Sequence, residues 1–201
     1  MWIAKTNIGI LCRCRIYSKN PYRVKVNKKK MISSHKNPSF KEVYQTDEIS
    51  IFMDEMERRL KNNPSNTAPL AVLLDFELGA RKGEILAISK SDIIGNIIHV
   101  HKQLIKEFDV TDLKSIKESG FRIVEYTKTE DGDRYLPLSE RAKWIINRVV
   151  AINEKYGFEC GELLFVKDDH CLSPKAIDAQ IENGCKHINI LIKTIHKKRE
   201  T

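Results

Sequence analysis

Residues 69–93 read PLAVLLDFELGARKGEILAISKSDI, and the reading of the fold starts there. Leu70, Leu73, Leu74 and Leu78 recur at the spacing of one helix face, Pro69 opens that helix, and Gly79 is a natural breaker at its end. A short helix is predicted next, through Glu84 to Ile88, with Arg81 at its start. Glu84 then lies three residues beyond Arg81, where its carboxylate reaches back to brace the guanidinium. Taken alone, the pair reads equally well as a surface ion pair at a helix join, which contributes little to stability.

Upstream, Ile49, Phe52, Met53, Met56 and Leu60 mark an amphipathic helix behind a cap at Thr46 and the acidic first turn Asp47-Glu48. Downstream, residues 96–105 are extended in pattern, and residues 121–126 and 135–138 flank the turn signal Asp131-Gly132. These three segments are expected to form a small antiparallel three-stranded sheet, with residues 106–120 a polar loop between them. Helix returns behind Ser139, turning Ala142, Ile145, Ile146, Val149 and Ile152 inward. It returns again behind the Ser173-Pro174 pair, with Ile177, Ile181, Cys185 and Ile188 inward. The fold class read from this order is α+β, mostly helical.

With 201 residues the chain is long enough for one domain with its own core plus an appendage. It carries 35 Lys and Arg against 27 Asp and Glu, a net charge of +8 and a pI near 9.2, which points to polyanionic partners. The charge is uneven: residues 1–42 hold 11 Lys and Arg and the single acid Glu42, so the remainder is net −2. Arg23, Lys25, Lys28, Lys29 and Lys30 follow Asn20-Pro21 in a stretch without helical period that reads as an extended basic linker. No run approaches the roughly 20 apolar residues needed to cross a bilayer, and the first residues lack a signal-peptide pattern. Membrane and secreted classes are therefore set aside and a cytoplasmic location is expected.

The five cysteines, Cys12, Cys14, Cys160, Cys171 and Cys185, include no C-x-x-C pair, which argues against a disulfide framework or a four-ligand zinc site. In Asp168-Asp169-His170-Cys171 the ligand-type side chains are adjacent rather than spaced around a turn, so a surface loop is expected in place of a metal site. No metal is predicted. Lys128, in Thr127-Lys128-Thr129 at a strand end, is by itself most simply a solvated charge. His196 and Arg199 fall on neighbouring positions of one helical turn, which suits two ligands for one phosphate, although a terminal basic tail is the simpler reading in isolation.

Taken together, the order G-x-R-x-G-E at residues 79–84, Thr127-Lys128-Thr129 in a hairpin ending in Arg134-Tyr135-Leu136-Pro137-Leu138, and H-x-x-R at residues 196–199 resembles the catalytic domain of the tyrosine recombinases, the phage and transposon integrase family. Leu86-Ala87-Ile88-Ser89-Lys90-Ser91-Asp92-Ile93, Leu164-Phe165 and Leu172-Ser173 look like further landmarks of that family, and Asn20-Pro21-Tyr22-Arg23 with the lysines after it is similar to its interdomain linker. The resemblance divides the chain into a remnant of a core-binding domain (1–19), a basic interdomain linker (20–42) and a partial catalytic domain (43–201). It implies a helical core with a small three-stranded antiparallel sheet, incomplete at the C-terminus.

The resemblance also implies a chemistry. Arg81, His196 and Arg199 would grip one scissile DNA phosphate and counter the charge that builds on its non-bridging oxygens, with Glu84 orienting Arg81. Lys128 would act as general acid toward the leaving 5′ oxygen, and Arg134 would touch a neighbouring phosphate. No metal or nucleotide is needed, because the family stores the bond energy in a covalent phosphotyrosine. The family's nucleophilic tyrosine lies downstream of H-x-x-R, after a further His or Trp, and this sequence stops two residues beyond Arg199. Tyr17, Tyr22, Tyr44, Tyr126, Tyr135 and Tyr156 match no nucleophile position, so no strand exchange by this chain alone is expected.

The expected partner is double-stranded DNA, with pairing to an intact recombinase or self-association as a further option. The alternative is a non-catalytic DNA-binding or regulatory module acting through its basic arm. A ribonucleoprotein component ranks third, since no G-x-x-G loop or paired strand aromatics accompany the charge.

Overall fold

A computed structural model describes residues 44–109, 117–127 and 132–192. Helix α1 (Thr46–Asn62) buries Phe52, Met56 and Leu60, with Ile49 and Met53 packed against the same core. Its cap is Gln45, one residue before the Thr46 expected from sequence: the Gln45 N–H donates to Glu48 Oε2 at 2.8 Å, which serves one of the donors a helix start leaves unpaired. Acidic Asp47 and Glu48 in the first turn and basic Arg59 and Lys61 in the last both suit the helix dipole.

Helix α2 (Ala68–Leu78) begins with Pro69 in its first turn and ends at Gly79, whose φ of 56° is left-handed and whose N–H returns to the Asp75 carbonyl at 2.8 Å. It carries more than the single apolar face predicted. Every residue from Ala68 to Asp75 is buried, because α1 and two later helices, α4 (Glu140–Tyr156) and α5 (Pro174–His187), all pack around it.

The flanking helices are amphipathic and capped where expected. Ser139 Oγ accepts from the Ala142 N–H at 3.0 Å, and Ser173 Oγ from the Ala176 N–H at 3.3 Å. Ala142, Ile145, Ile146, Val149 and Ile152 of α4 and Ile177, Ile181 and Cys185 of α5 are buried, and Ile188 is partly buried beyond the end of α5. Each fully buried Leu or Ile here contributes on the order of 1.5–3 kcal/mol.

The sheets differ from the expected pairing. Strand β2 (Ile97–Val100) lies between β1 (Ile93–Ile94) and β5 (Arg134–Pro137) in an antiparallel three-stranded sheet, with Ile98 opposite Leu136 and Val100 opposite Arg134. Strand β4 (Lys117–Val124) pairs instead with β3 (Gln103–Asp109), Lys106 opposite Phe121, with a register irregularity after Glu107. Residues 121–124 do not share a hairpin with residues 135–137, and the predicted loop at 106–120 is strand at both of its ends. The polar character that suggested a loop belongs to a ribbon that exposes Lys106, Glu107 and Arg122 while Leu104 and Val124 are buried.

Asp168-Asp169-His170-Cys171 forms the tip and return strand of a tight hairpin, β6 (Val166–Lys167) with β7 (His170–Cys171), and Asp168 takes a left-handed φ of 54°. Among the described residues no group of three or more His, Cys, Asp or Glu is placed to hold a metal ion, and no helix is long and apolar enough to cross a membrane.

Candidate phosphate-binding site

Helix α3 (Lys82–Leu86) starts at Arg81, its N-cap, immediately after the left-handed turn at Gly79. Its surroundings pin this short helix. Its Glu84 is buried, Lys82 Nζ meets Asp178 Oδ1 of α5 at 2.5 Å, and Gly83 sits so close to β3 that a Cβ there would lie 2.8 Å from the Leu104 carbonyl oxygen.

The Glu84 side chain is fully buried, and both of its oxygens are used. Oε1 accepts from Arg81 Nη1 at 2.7 Å, while Oε2 accepts from the Arg81 backbone N–H at 2.9 Å and from Arg134 Nη2 at 2.9 Å. Arg134 reaches across from β5, and its Nη1 donates to the Gly132 carbonyl at 2.8 Å. Burial by itself would push the Glu84 carboxyl up; the hydrogen bonds from the Arg81 backbone N–H, from Arg134 and from the Arg81 guanidinium outweigh it and hold the group below the usual carboxylate range. Two guanidinium groups thus share one carboxylate, leaving a net positive charge. The Arg81 side chain remains 30% exposed, and apart from Nη1 its guanidinium donors have no partner among the described residues. An oxyanion fits that arrangement.

Gly132 also packs against the Thr127 side chain, where a Cβ would clash. Thr127 and Gly132 bracket the segment that holds Lys128. Lys128 itself, His196 and Arg199 lie outside the described residues, as do Arg23, Lys25, Lys28, Lys29 and Lys30 of the basic arm. Of the site residues expected from sequence, the structure brings Arg81, Glu84 and Arg134 together.

A second polar cluster flanks this one and was not anticipated. Asp92, also buried, accepts from the Ser89 N–H at 2.8 Å, meets Lys102 Nζ at 2.9 Å and lies 3.0 Å from His101 Nε2. Burial again acts to raise its carboxyl and is outweighed by these partners, so the group is held low. Lys102 Nζ also donates to Ser89 Oγ at 3.0 Å. Beside it the rings of Tyr135 and His99 stack at 4.2 Å, and His99 and His101 at 4.3 Å, with His99 Nε2 and Asp133 Oδ1 2.8 Å apart. The S-x-x-D spacing of Ser89 and Asp92 is a capping signal open to sequence reading; the arrival of Lys102 and the histidines is not.

No family model and no curated protein matches the sequence. Solved structures do match. A Tn1549 transposon integrase in complex with circular intermediate DNA superposes on 97% of this chain with a TM-score of 0.65 at 16% identity. The XerA recombinase does so over 88% with a TM-score of 0.51 at 17% identity. The XerH site-specific recombinase, bound to a palindromic difH substrate, covers 84% with a TM-score of 0.50 at 16% identity.

The chain has the fold of a tyrosine-recombinase catalytic domain. It spans 60% of the length of that integrase, 52% of XerA and 41% of XerH. At such identities the likeness is one of fold, and the site stands on its own geometry. Within the recombinase-like fold, Arg81 occupies the join between the central helix α2 and α3, and β5 delivers Arg134 to the same carboxylate.

Proposed function

We propose that this chain is a DNA-binding part of a site-specific tyrosine recombinase or integrase, in which Arg81, held by Glu84, grips a phosphate of double-stranded DNA. The observation that carries the reading is the buried Glu84 carboxylate shared by two arginines, with the rest of the Arg81 guanidinium open to an oxyanion. Lys128, His196 and Arg199 complete the phosphate site in this reading, and Arg23, Lys25, Lys28, Lys29 and Lys30 add sequence-independent backbone contacts from a basic linker between a domain remnant (1–19) and the catalytic-domain part (43–201). The neighbours of like fold support it, since the Tn1549 integrase and XerH were captured with DNA.

The chain acts in this reading as a binder rather than a complete recombinase. Tyr44 is buried with its hydroxyl 3.4 Å from Cys185 Sγ, and Tyr126, Tyr135 and Tyr156 are exposed but match no nucleophile position in the sequence, which supports this reading. Strand exchange then requires an intact recombinase, paired with this chain or acting in its place.

Fluorescence anisotropy of a labelled duplex at about 50 and 200 mM salt tests the reading, because phosphate contacts release counterions and make affinity fall steeply with salt. Arg81→Ala is expected to weaken binding by about tenfold and to make it less salt-dependent by roughly one contact. Unchanged affinity for Arg81→Ala would reduce the protein to its basic arm.

A further inference from the structure

We infer that Arg134 is a positioning residue, which locks the Arg81–Glu84 pair to the three-stranded sheet, and not the neighbouring-phosphate contact that its sequence position suggests. The inference deepens the phosphate-gripping function proposed above and rests on it.

Both ends of the Arg134 guanidinium are committed to the protein. Nη2 lies on Glu84 Oε2 at 2.9 Å and Nη1 on the Gly132 carbonyl at 2.8 Å, and the side chain is 22% exposed. The planar fork aims one N–H at each acceptor in a fixed geometry, which the compact ammonium of a lysine on its flexible stem does not reproduce. The backbone of Arg134 is fixed independently of both acceptors, because β5 pairs with β2 with Arg134 opposite Val100. Its side chain is therefore a rigid strut from the three-stranded sheet.

One end of the strut holds the carboxylate that orients Arg81. The other holds the carbonyl of Gly132, which packs on the Thr127 side chain. Without Arg134, Glu84 Oε2 would keep only the Arg81 backbone N–H, and the Gly132 carbonyl would lose the side chain that ties it to the sheet. The Arg81–Glu84 pair would then lose its tie to the sheet, and the open donors of Arg81 would no longer be held in one orientation toward a phosphate.

The experiment compares the full chain with Arg81→Ala, Arg134→Gln, Arg134→Lys and the double variant Arg81→Ala/Arg134→Gln. Each is titrated against a labelled mixed-sequence DNA duplex across about 50–200 mM salt. Amide hydrogen exchange of residues 81–86 and 132–134 is followed without DNA. A positioning role predicts that Arg134→Gln weakens binding by about tenfold alone but by less than about twofold in the Arg81→Ala background, with no further change in salt slope there. Arg134→Lys, which keeps the charge, is expected to behave like Arg134→Gln, and both variants to exchange faster in both segments.

A further loss of about 0.9 in salt slope when Arg134→Gln is added to Arg81→Ala would make Arg134 a phosphate contact of its own and overturn the inference. Full affinity in Arg134→Lys, or unaltered exchange in Arg134→Gln, would overturn it as well. A general loss of fold is distinguished because it lowers affinity equally in both backgrounds. If Arg81→Ala itself binds as the parent does, the phosphate grip fails and the inference falls with it; in every other failure Arg81→Ala still weakens binding.

Discussion

Two buried carboxylates, Glu55 and Glu84, each hold two arginines, and what separates them is where the arginines come from. Glu55 takes Arg58 and Arg59 from its own helix, at 2.7 and 2.8 Å, and meets His187 Nδ1 of α5 at 3.2 Å. The Arg58 hydrogen bond holds its carboxyl low against the opposing effect of burial. That is a helix-face ion pair with one tertiary contact. Glu84 instead joins α3 to β5 and leaves Arg81 with open donors.

Because Glu84 and Asp92 are held below their ordinary values of 4.5 and 3.8, the stability each contributes is fully present above those values and is lost as pH falls through the lower folded-state values. The melting temperature should therefore be level near neutrality and drop on acidification below about pH 4.5. Glu84→Gln should cost about 2 kcal/mol at neutral pH, below the full penalty of breaking a buried pair because both guanidinium groups are partly exposed. It should also flatten the acid limb. Thermal melts of both proteins from neutral to acid pH check this; an equal acid response in the two would show that Glu84 does not couple to stability.

At the scale of elements, α3 is only five residues long and depends on what it touches. Gly83 faces the Leu104 carbonyl of β3 so closely that Gly83→Ala must push helix and strand apart, and backbone cannot yield as a side-chain tip does. A loss of about 1–3 kcal/mol is expected by urea denaturation. Gly157→Ala provides the comparison. Its φ is 68° but a Cβ there meets open space, so only the conformational cost of about 1–2 kcal/mol applies. The Gly83 variant should lose DNA affinity as well, through Arg81, and the Gly157 variant should not.

The helices at this scale were legible because their signals are local. The serine caps of α4 and α5, the proline and glycine around α2 and the apolar spacing of α1 all act within a turn or two. Strand partners were not legible. Residues 103–109 and 134–137 are each plausible partners for residues 117–124, and only the assembled sheets choose between them.

For the whole molecule the charge division sets the binding behaviour. Residues 1–42 hold +10 of a total of +8, so the remainder is weakly acidic and depends on a few arranged cations to meet DNA. Replacing Lys28, Lys29 and Lys30 by glutamine in the full chain should lower the salt slope by about 2–3 and weaken binding most at low salt, while leaving the Arg81→Ala effect as large as in the parent. If the triple variant no longer responds to Arg81→Ala, the arm and the Arg81 site are not separate contributors. The central position of α2 belongs to this scale too. A helix with apolar residues on every side is stable only when wrapped, and α1, α4 and α5 supply the wrapping.

The sequence by itself determined the helices, the basic arm, the likeness to the recombinase fold and the pairing of Arg81 with Glu84. These depend on spacing along the chain, and a helix turns spacing directly into proximity. Tertiary structure decided that Arg134 shares Glu84 with Arg81, that Lys102 and His101 close on Asp92, and that residues 117–124 pair away from β5. Those contacts join residues up to 50 positions apart, where many partners are sterically open to an extended chain. What selects among them is the burial of α2 and the sheets together, which no local pattern encodes.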